Sequence, residues 1–185
     1  MSSSMQQIPR IVEEARMPLD LDRQIRVGLC VCFPADWEIF IRTRAWHGSS
    51  PAYSVVIEAA GQVLAHAGVV DRVISAGGKE VRVAGVQNVF VLPAHRGSGM
   101  FYAVMDAAMH EAQRRGFDSG LLFCAAQLEP LYQRCGWRAL GGREVTRIDE
   151  PGSEAPLPGG NIVMFYPLRL AALPPGPIHL CGNDW

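Results

Sequence analysis

The chain has 185 residues, enough for one domain with a buried core, and 49% of them are hydrophobic against 19% charged. That balance excludes a disordered or nucleic-acid-coating segment. Seventeen basic against eighteen acidic residues leave a formal charge of -1, which argues against a broad electrostatic grip on DNA or on a membrane surface and leaves only a local basic loop.

No apolar run approaches the roughly 18 residues that a membrane helix needs. Met1 to Arg10 is Ser- and Gln-rich and lacks both a basic n-region and an apolar h-region, so no signal peptide is expected. Asp20 to Phe33 carries Ile25, Leu29, Cys32 and Phe33 at helical spacing, with Asp20 placed to cap. Pro34 ends that helix, and Ala35-Asp36-Trp37-Glu38 begins another short helical piece. Three β-rich runs follow, Ala52 to Ala59, Val63 to Ile74 and Lys79 to Leu92, joined by turns at Gly61-Gln62 and Gly77-Gly78. Such short turns predict antiparallel hairpins. Pro93 stops the third run, because it has no amide to give to a ladder.

Phe101, Val104, Met105, Ala108, Met109 and Ala112 mark one face of a helix, and Gly116 follows Arg114-Arg115 as its stop. The methionines of this helix, Met100, Met105 and Met109, are read as core. Ser119 to Cys124 is a continuous apolar run of the kind found in a strand with a parallel neighbour. A short helix near Leu128 to Cys135 comes next, then strands at Trp137 to Ile148 and Asn161 to Leu168, separated by a loop from Asp149 to Gly160. A Pro-rich tail, 169–185, closes the chain. The expected fold is a single α/β domain, 1–185, whose mixed sheet has helices on its faces. The five cysteines, Cys30, Cys32, Cys124, Cys135 and Cys181, lack C-x-x-C spacing. They read mostly as buried or reduced thiols, no metal is expected, and the cytoplasm is the expected compartment.

The informative segment is Val89-Phe90-Val91-Leu92-Pro93-Ala94-His95-Arg96-Gly97-Ser98-Gly99-Met100-Phe101. A strand runs into a small-residue loop that opens an amphipathic helix, a geometry that collects backbone N–H groups and suits a pyrophosphate. Alone, Gly-x-Gly before a helix is also what a tight turn requires. No Lys-Ser/Thr follows, so it is not a Walker loop, and the preceding strands are hairpin-linked, so it is not a dinucleotide fold.

Arg96-Gly97-Ser98-Gly99 resembles the coenzyme A pyrophosphate loop of the GNAT N-acetyltransferases, and Leu131-Tyr132-Gln133-Arg134-Cys135-Gly136-Trp137 resembles the family's Leu-Tyr-x-x-x-Gly-Phe/Trp mark. Phe101 departs from the pattern, where the family has Gly or Ala. A resemblance to the aminoglycoside 2'-N-acetyltransferases covers nearly the whole chain. It rests on Asp36-Trp37-Glu38, on Gly61 to Val70, on the valines from Val86 to Val91 and on an ending in Trp185. Rhizobial nodulation acyltransferases share parts of this layout.

The resemblance implies the GNAT fold and acetyl transfer from acetyl-coenzyme A to an amine of an amino-sugar, with antibiotic resistance as a consequence. It assigns coenzyme binding to Val89, Phe90 and Val91 on the strand edge and to Arg96, Gly97, Ser98, Gly99, Met100 and Phe101 in the loop and first helical turn. A backbone amide near Val89 to Val91 is to hold the developing oxyanion, and Tyr132 is to protonate the leaving thiolate. Asp36 and the terminal carboxylate of Trp185 are implied at the reacting centre. A cationic acceptor calls for carboxylates around a cleft, drawn from Asp36, Glu38, Asp149, Glu150, Glu154, Asp184 and Trp185. Gln87 stands where the family has an acid, which fits a less highly charged acceptor such as kasugamycin. His66 reads as a satisfied core or cleft histidine and His95 as a rim residue. Two other readings stay open: a nodulation-type enzyme with a longer acyl donor, and a non-catalytic coenzyme-binding module. The resemblance also implies a homodimer, for which the apolar residues from Leu168 to Leu180 offer a surface.

Overall fold

The computed structural model describes residues 8–150 and 152–185, so most of the N-terminal stretch read for a leader lies outside the described residues. The chain runs β1 (Arg10–Glu13), α1 (Leu19–Cys32), α2 (Trp37–Phe40), β2 (Tyr53–Ala59), β3 (Gln62–Ala76), β4 (Lys79–Val91), α3 (Met100–Arg114) and β5 (Ser119–Ala125). It continues with α4 (Glu129–Gln133), β6 (Arg138–Ala139), β7 (Val145–Ile148), β8 (Glu154–Pro156), β9 (Asn161–Pro167) and β10 (Ile178–His179).

Among the described residues, one mixed sheet holds ten strands, in the order β6-β9-β5-β4-β3-β10-β7-β8, with β2 on the other part of β3 and β1 outside it. The expected meander of β2, β3 and β4 is antiparallel, and β5 joins β4 in parallel after the α3 crossover. The helices cover opposite faces. Tyr53 sends its hydroxyl to the Ala108 carbonyl of α3 at 2.9 Å. Phe90, whose cross-strand neighbours are His66 and then Val56, packs on Gly28 of α1, where an added Cβ would sit 2.3 Å from its ring. Tyr53 and Val56 stand an odd number of residues apart on one strand, hence on opposite faces. Met100, Met105 and Met109 are buried against the sheet.

Four expectations are corrected. Asp20 lies inside the first turn of α1 and accepts from Gln24; Pro18, with its fixed φ, occupies the cap position. The run Trp137 to Ile148 is not one strand, because the chain turns at Gly141-Gly142 and sends β6 and β7 to distant places in the sheet. The loop from Asp149 to Gly160 contains β8, which pairs with β7. Finally, the tail is built into the sheet. Its β10 pairs with β3 (Ile178↔Ala76) and with β7 (Ile178↔Val145). Leu173, Ile178, Leu180 and Trp185 are buried in the protein's own second core cluster, so the apolar tail is no open docking strip. Of the cysteines, Cys124 is buried and Cys181 exposed.

Candidate active site

Beyond β4 the chain makes one tight turn and enters 96–99. Gly97 and Gly99 take φ of 76° and 85°, and a Cβ on either would meet nothing within 4 Å. The dihedral and open access, rather than packing, therefore require glycine here. Gly99 is the N-cap of α3, so the first-turn amides have no intrahelical acceptor and carry the positive end of the helix dipole. Ser98 Oγ donates to the His95 carbonyl at 2.5 Å, and Arg96 Nε to the Val91 carbonyl at 3.3 Å. A cavity of about 420 Å³ opens over the loop. It is lined by Val89, Phe90, Val91, Arg96, Gly97, Ser98, Gly99, Met100 and Phe101, together with His95, Cys32, Phe33, Leu128, Leu131 and Tyr132. Phe101 meets the Tyr132 ring edge-on at 5.4 Å and so forms a wall beside it.

A notch opens beside this cavity. Strands β4 and β5 pair from Val83↔Ser119 to Val86↔Leu122 and no further, while β5 stays paired to β9 as far as Ala125↔Asn161. The parting follows a bulge in β4. Gly68 faces Gln87 and His66 faces Phe90, which leaves Asn88 and Val89 together opposite Ala67, with Asn88 left-handed at φ 53°. The Leu92 amide donates to Leu64 at 2.8 Å. Bonded pairs alternate along an antiparallel ladder, so Phe90 bonds toward β3. The Val89 carbonyl and both backbone groups of Val91 therefore face the notch.

The bulge is fixed from behind. His66 Nδ1 lies 2.8 Å from the Asn88 carbonyl and Nε2 lies 3.1 Å from Ser54 Oγ. Burial lowers the His66 pKa to about 3, so the ring is neutral. Arg44, buried, donates to Ser54, Asp22 and Glu14, and its carbonyl accepts from Asn88 Nδ2 at 2.7 Å. His66 lines neither cavity of the site, so it is a satisfied core histidine.

A second cavity, of about 450 Å³, shares Phe33, Val89, Leu128 and Tyr132 with the first. Phe40, Trp46, Phe123 and Trp185 give it aromatic walls, and Asp36, Gln87, Asn88, Asn161 and Asp184 give it polar groups. Tyr132 stands at the junction on α4. Burial pushes its phenol pKa above the ordinary 10, so the hydroxyl keeps its proton. Gln87 has its amide engaged: Oε1 accepts from the Trp46 amide at 3.1 Å and Nε2 donates to the Ser49 carbonyl at 2.7 Å. This holds the tight turn at His47 (φ 44°) and Gly48 (φ 77°) against the sheet.

Asp184 faces His47 Nδ1 at 2.9 Å and Arg147 at 3.2 Å, so its charge is compensated. Among the described residues Asp36 makes no ion pair and no side-chain hydrogen bond. The Trp185 indole lies on Gly85, where a Cβ would fall 2.4 Å from it, and under Arg72 at 5.4 Å. The structure thus brings Asp36, Gln87, Asp184, Trp185 and Tyr132 to one cavity. Glu38 is exposed on α2, Asp149 and Glu150 lie in the β7–β8 turn, and Glu154 pairs with His179; these four line neither cavity. Sequence reading did not find the Arg44–Ser54–His66 chain or the His47–Asp184 pair, whose members lie far apart along the chain.

The acetyltransferase (GNAT) domain family matches residues 32–140. Among solved structures, the chain is similar to YhbS from Escherichia coli, a GNAT family N-acetyltransferase in complex with CoA, with TM-score 0.68 and 15% identity over 98% of this chain and 94% of that one. It is similar to a GNAT family acetyltransferase from Brucella melitensis in complex with acetyl-CoA (TM-score 0.62, 19% identity, 94% and 96% covered). It is also similar to Escherichia coli ElaA (TM-score 0.62, 12% identity, 85% and 97% covered). Among curated proteins, none matches the sequence at a significant level.

Proposed function

The chain belongs to the GNAT acetyltransferase family, an acetyl-coenzyme A-dependent class, and we propose that it transfers acetyl to an amino group of a lightly charged amino-sugar. The observation that carries this reading is the meeting of two cavities at Val89 and Tyr132. The first has the glycine loop and helix N-terminus suited to a pyrophosphate, and the strand edge of Val89 and Val91 suits the amides of a pantetheine arm. The second admits the acceptor. Its aromatic walls suit the C–H face of a sugar ring, and its one uncompensated side-chain carboxylate, Asp36, suits a single ammonium group.

The chemistry assigned to the residues is direct attack. The acceptor amine must be neutral, and Asp36, directly or through water, takes its proton. The C–N bond forms as the thioester carbonyl becomes an oxyanion, held by the Val89 N–H. The C–S bond then breaks, the Tyr132 hydroxyl gives its proton to the leaving thiolate, and the second proton shed by the acylated nitrogen restores the phenol. Because Gln87 is neutral and Asp184 is already paired, a heavily cationic acceptor lacks counter-charges here.

The test is calorimetry of acetyl-coenzyme A binding beside thiol release across amines, including kasugamycin, multiply charged aminoglycosides and amines without a sugar. Turnover is expected with a low-charge amino-sugar. Tyr132→Phe should lower kcat about 100-fold, in the range of acid catalysis, without loss of coenzyme binding. Binding with turnover only on other amines would sink the amino-sugar reading, and absence of binding would sink the enzyme reading altogether.

A further inference from the structure

We infer that Arg44, Ser54 and His66 form a one-way hydrogen-bond chain that holds the Val89 N–H ready for the thioester oxygen. They act as positioning residues for the proposed acetyl transfer, on which this inference rests. The polarity of each link is fixed by chemistry. A carbonyl only accepts, so the hydrogen of the neutral His66 ring is on Nδ1 and points at Asn88. Nε2 is then an acceptor, and the Ser54 hydroxyl must donate to it. The Ser54 oxygen in turn accepts from Arg44 Nη1 at 3.3 Å, and guanidinium can only donate.

The consequence falls on one peptide. A trans peptide carries C=O and N–H on opposite sides. With the Asn88 carbonyl drawn toward His66, the Val89 N–H points the other way, and Val89 lines both cavities. Asn88, beside this peptide, is left-handed at φ 53°. Rotation of the peptide, through Asn88 ψ and Val89 φ, would put a carbonyl lone pair where an oxyanion needs a donor. The chain opposes that rotation from one side, and Asn88 Nδ2, held by the Arg44 carbonyl at 2.7 Å, opposes it from the other. None of Arg44, Ser54 and His66 lines either cavity, so any effect they have on the reaction passes through the bulge.

The experiment needs no acceptor. The Val89 amide resonance of 15N-valine-labelled protein is followed on adding coenzyme A and, separately, acetyl-coenzyme A. In the wild type the amide proton should move downfield with acetyl-coenzyme A and not with coenzyme A. His66→Leu should abolish that difference while changing coenzyme A affinity by less than about threefold. His66→Asn, whose amide nitrogen stands in for Nδ1, should restore it, and Ser54→Ala should weaken it. A wild-type amide that responds equally to both ligands overturns the inference, and so does His66→Leu or Ser54→Ala that responds as wild type does. If His66→Leu does not fold, the wild-type and Ser54→Ala spectra decide. Failure of the wild type to bind either ligand would overturn the functional reading and this inference with it. Binding with a silent Val89 overturns this inference alone.

Discussion

His66 and Tyr132 are both buried, and burial holds both neutral, but to opposite ends. Tyr132 is a phenol whose pKa is pushed up, so it keeps the proton that the proposed reaction has it give. His66 is a base whose pKa is pushed down to about 3, chiefly by burial, so it takes none. This sets a pH dependence of stability. Between about 3 and 6.5, the value for a free His, the unfolded chain binds a proton that the folded chain refuses. The stability is therefore fully present above pH 6.5 and is lost as pH falls below it, by about 1 kcal/mol per pH unit. Urea unfolding of the wild type and of His66→Asn at pH 7, 6 and 5 measures it. The wild type should lose more stability than the variant at each step, and parallel losses would contradict the account.

The glycine loop before α3, proposed above to take the pyrophosphate, is the element most legible beforehand, because a strand, a glycine loop and an amphipathic helix are contiguous in sequence. Its glycines can be tested against another pair. Gly99 and Gly78 both have left-handed dihedrals, φ 85° and 76°, and open space at Cβ. Alanine at either position should cost about 1–2 kcal/mol of stability. Only Gly99→Ala places a methyl group at the loop that lines the first cavity, so coenzyme A affinity should fall about tenfold there and stay unchanged in Gly78→Ala. Calorimetry on both variants checks this, and equal affinities would remove the loop from coenzyme binding. The bulge in β4 was less legible. Nothing in Gln87-Asn88-Val89 marks a left-handed residue beyond the general tolerance of Asn for it.

Across the whole molecule, the second cavity exists because the tail returns. Strand β10 adds to β3 and β7, which carries Asp184 and Trp185 back to β4 and β5. There Trp185 packs on Phe123 at 5.1 Å and its Nε1 approaches the Leu121 carbonyl at 3.4 Å. Gly85 makes room for the indole. Gly85→Ala should force it off the sheet and destabilise the fold by about 1–3 kcal/mol, the range for overpacking. It should leave coenzyme A affinity intact, because Gly85 does not line the first cavity. Urea midpoints with parallel calorimetry would show this, and an unchanged midpoint would mean that the tail is not held there.

The amino-acid sequence alone determined the meander, the crossover helix, the apolar β5, the glycine loop and the place of Tyr132 after it. Each is written in local periodicity, in turn residues or in a short contiguous motif, and local backbone preferences act over the same range. Only the tertiary structure decided which carboxylates meet. Asp36 and Asp184 share a cavity, whereas Glu38, two residues from Asp36, faces solvent because a helical turn points it elsewhere. Tertiary structure alone also set Gln87 to holding a loop, and joined Arg44, Ser54 and His66 behind the bulge. Such contacts depend on sheet order and register across long separations, and side-chain chemistry read along one dimension carries no record of them.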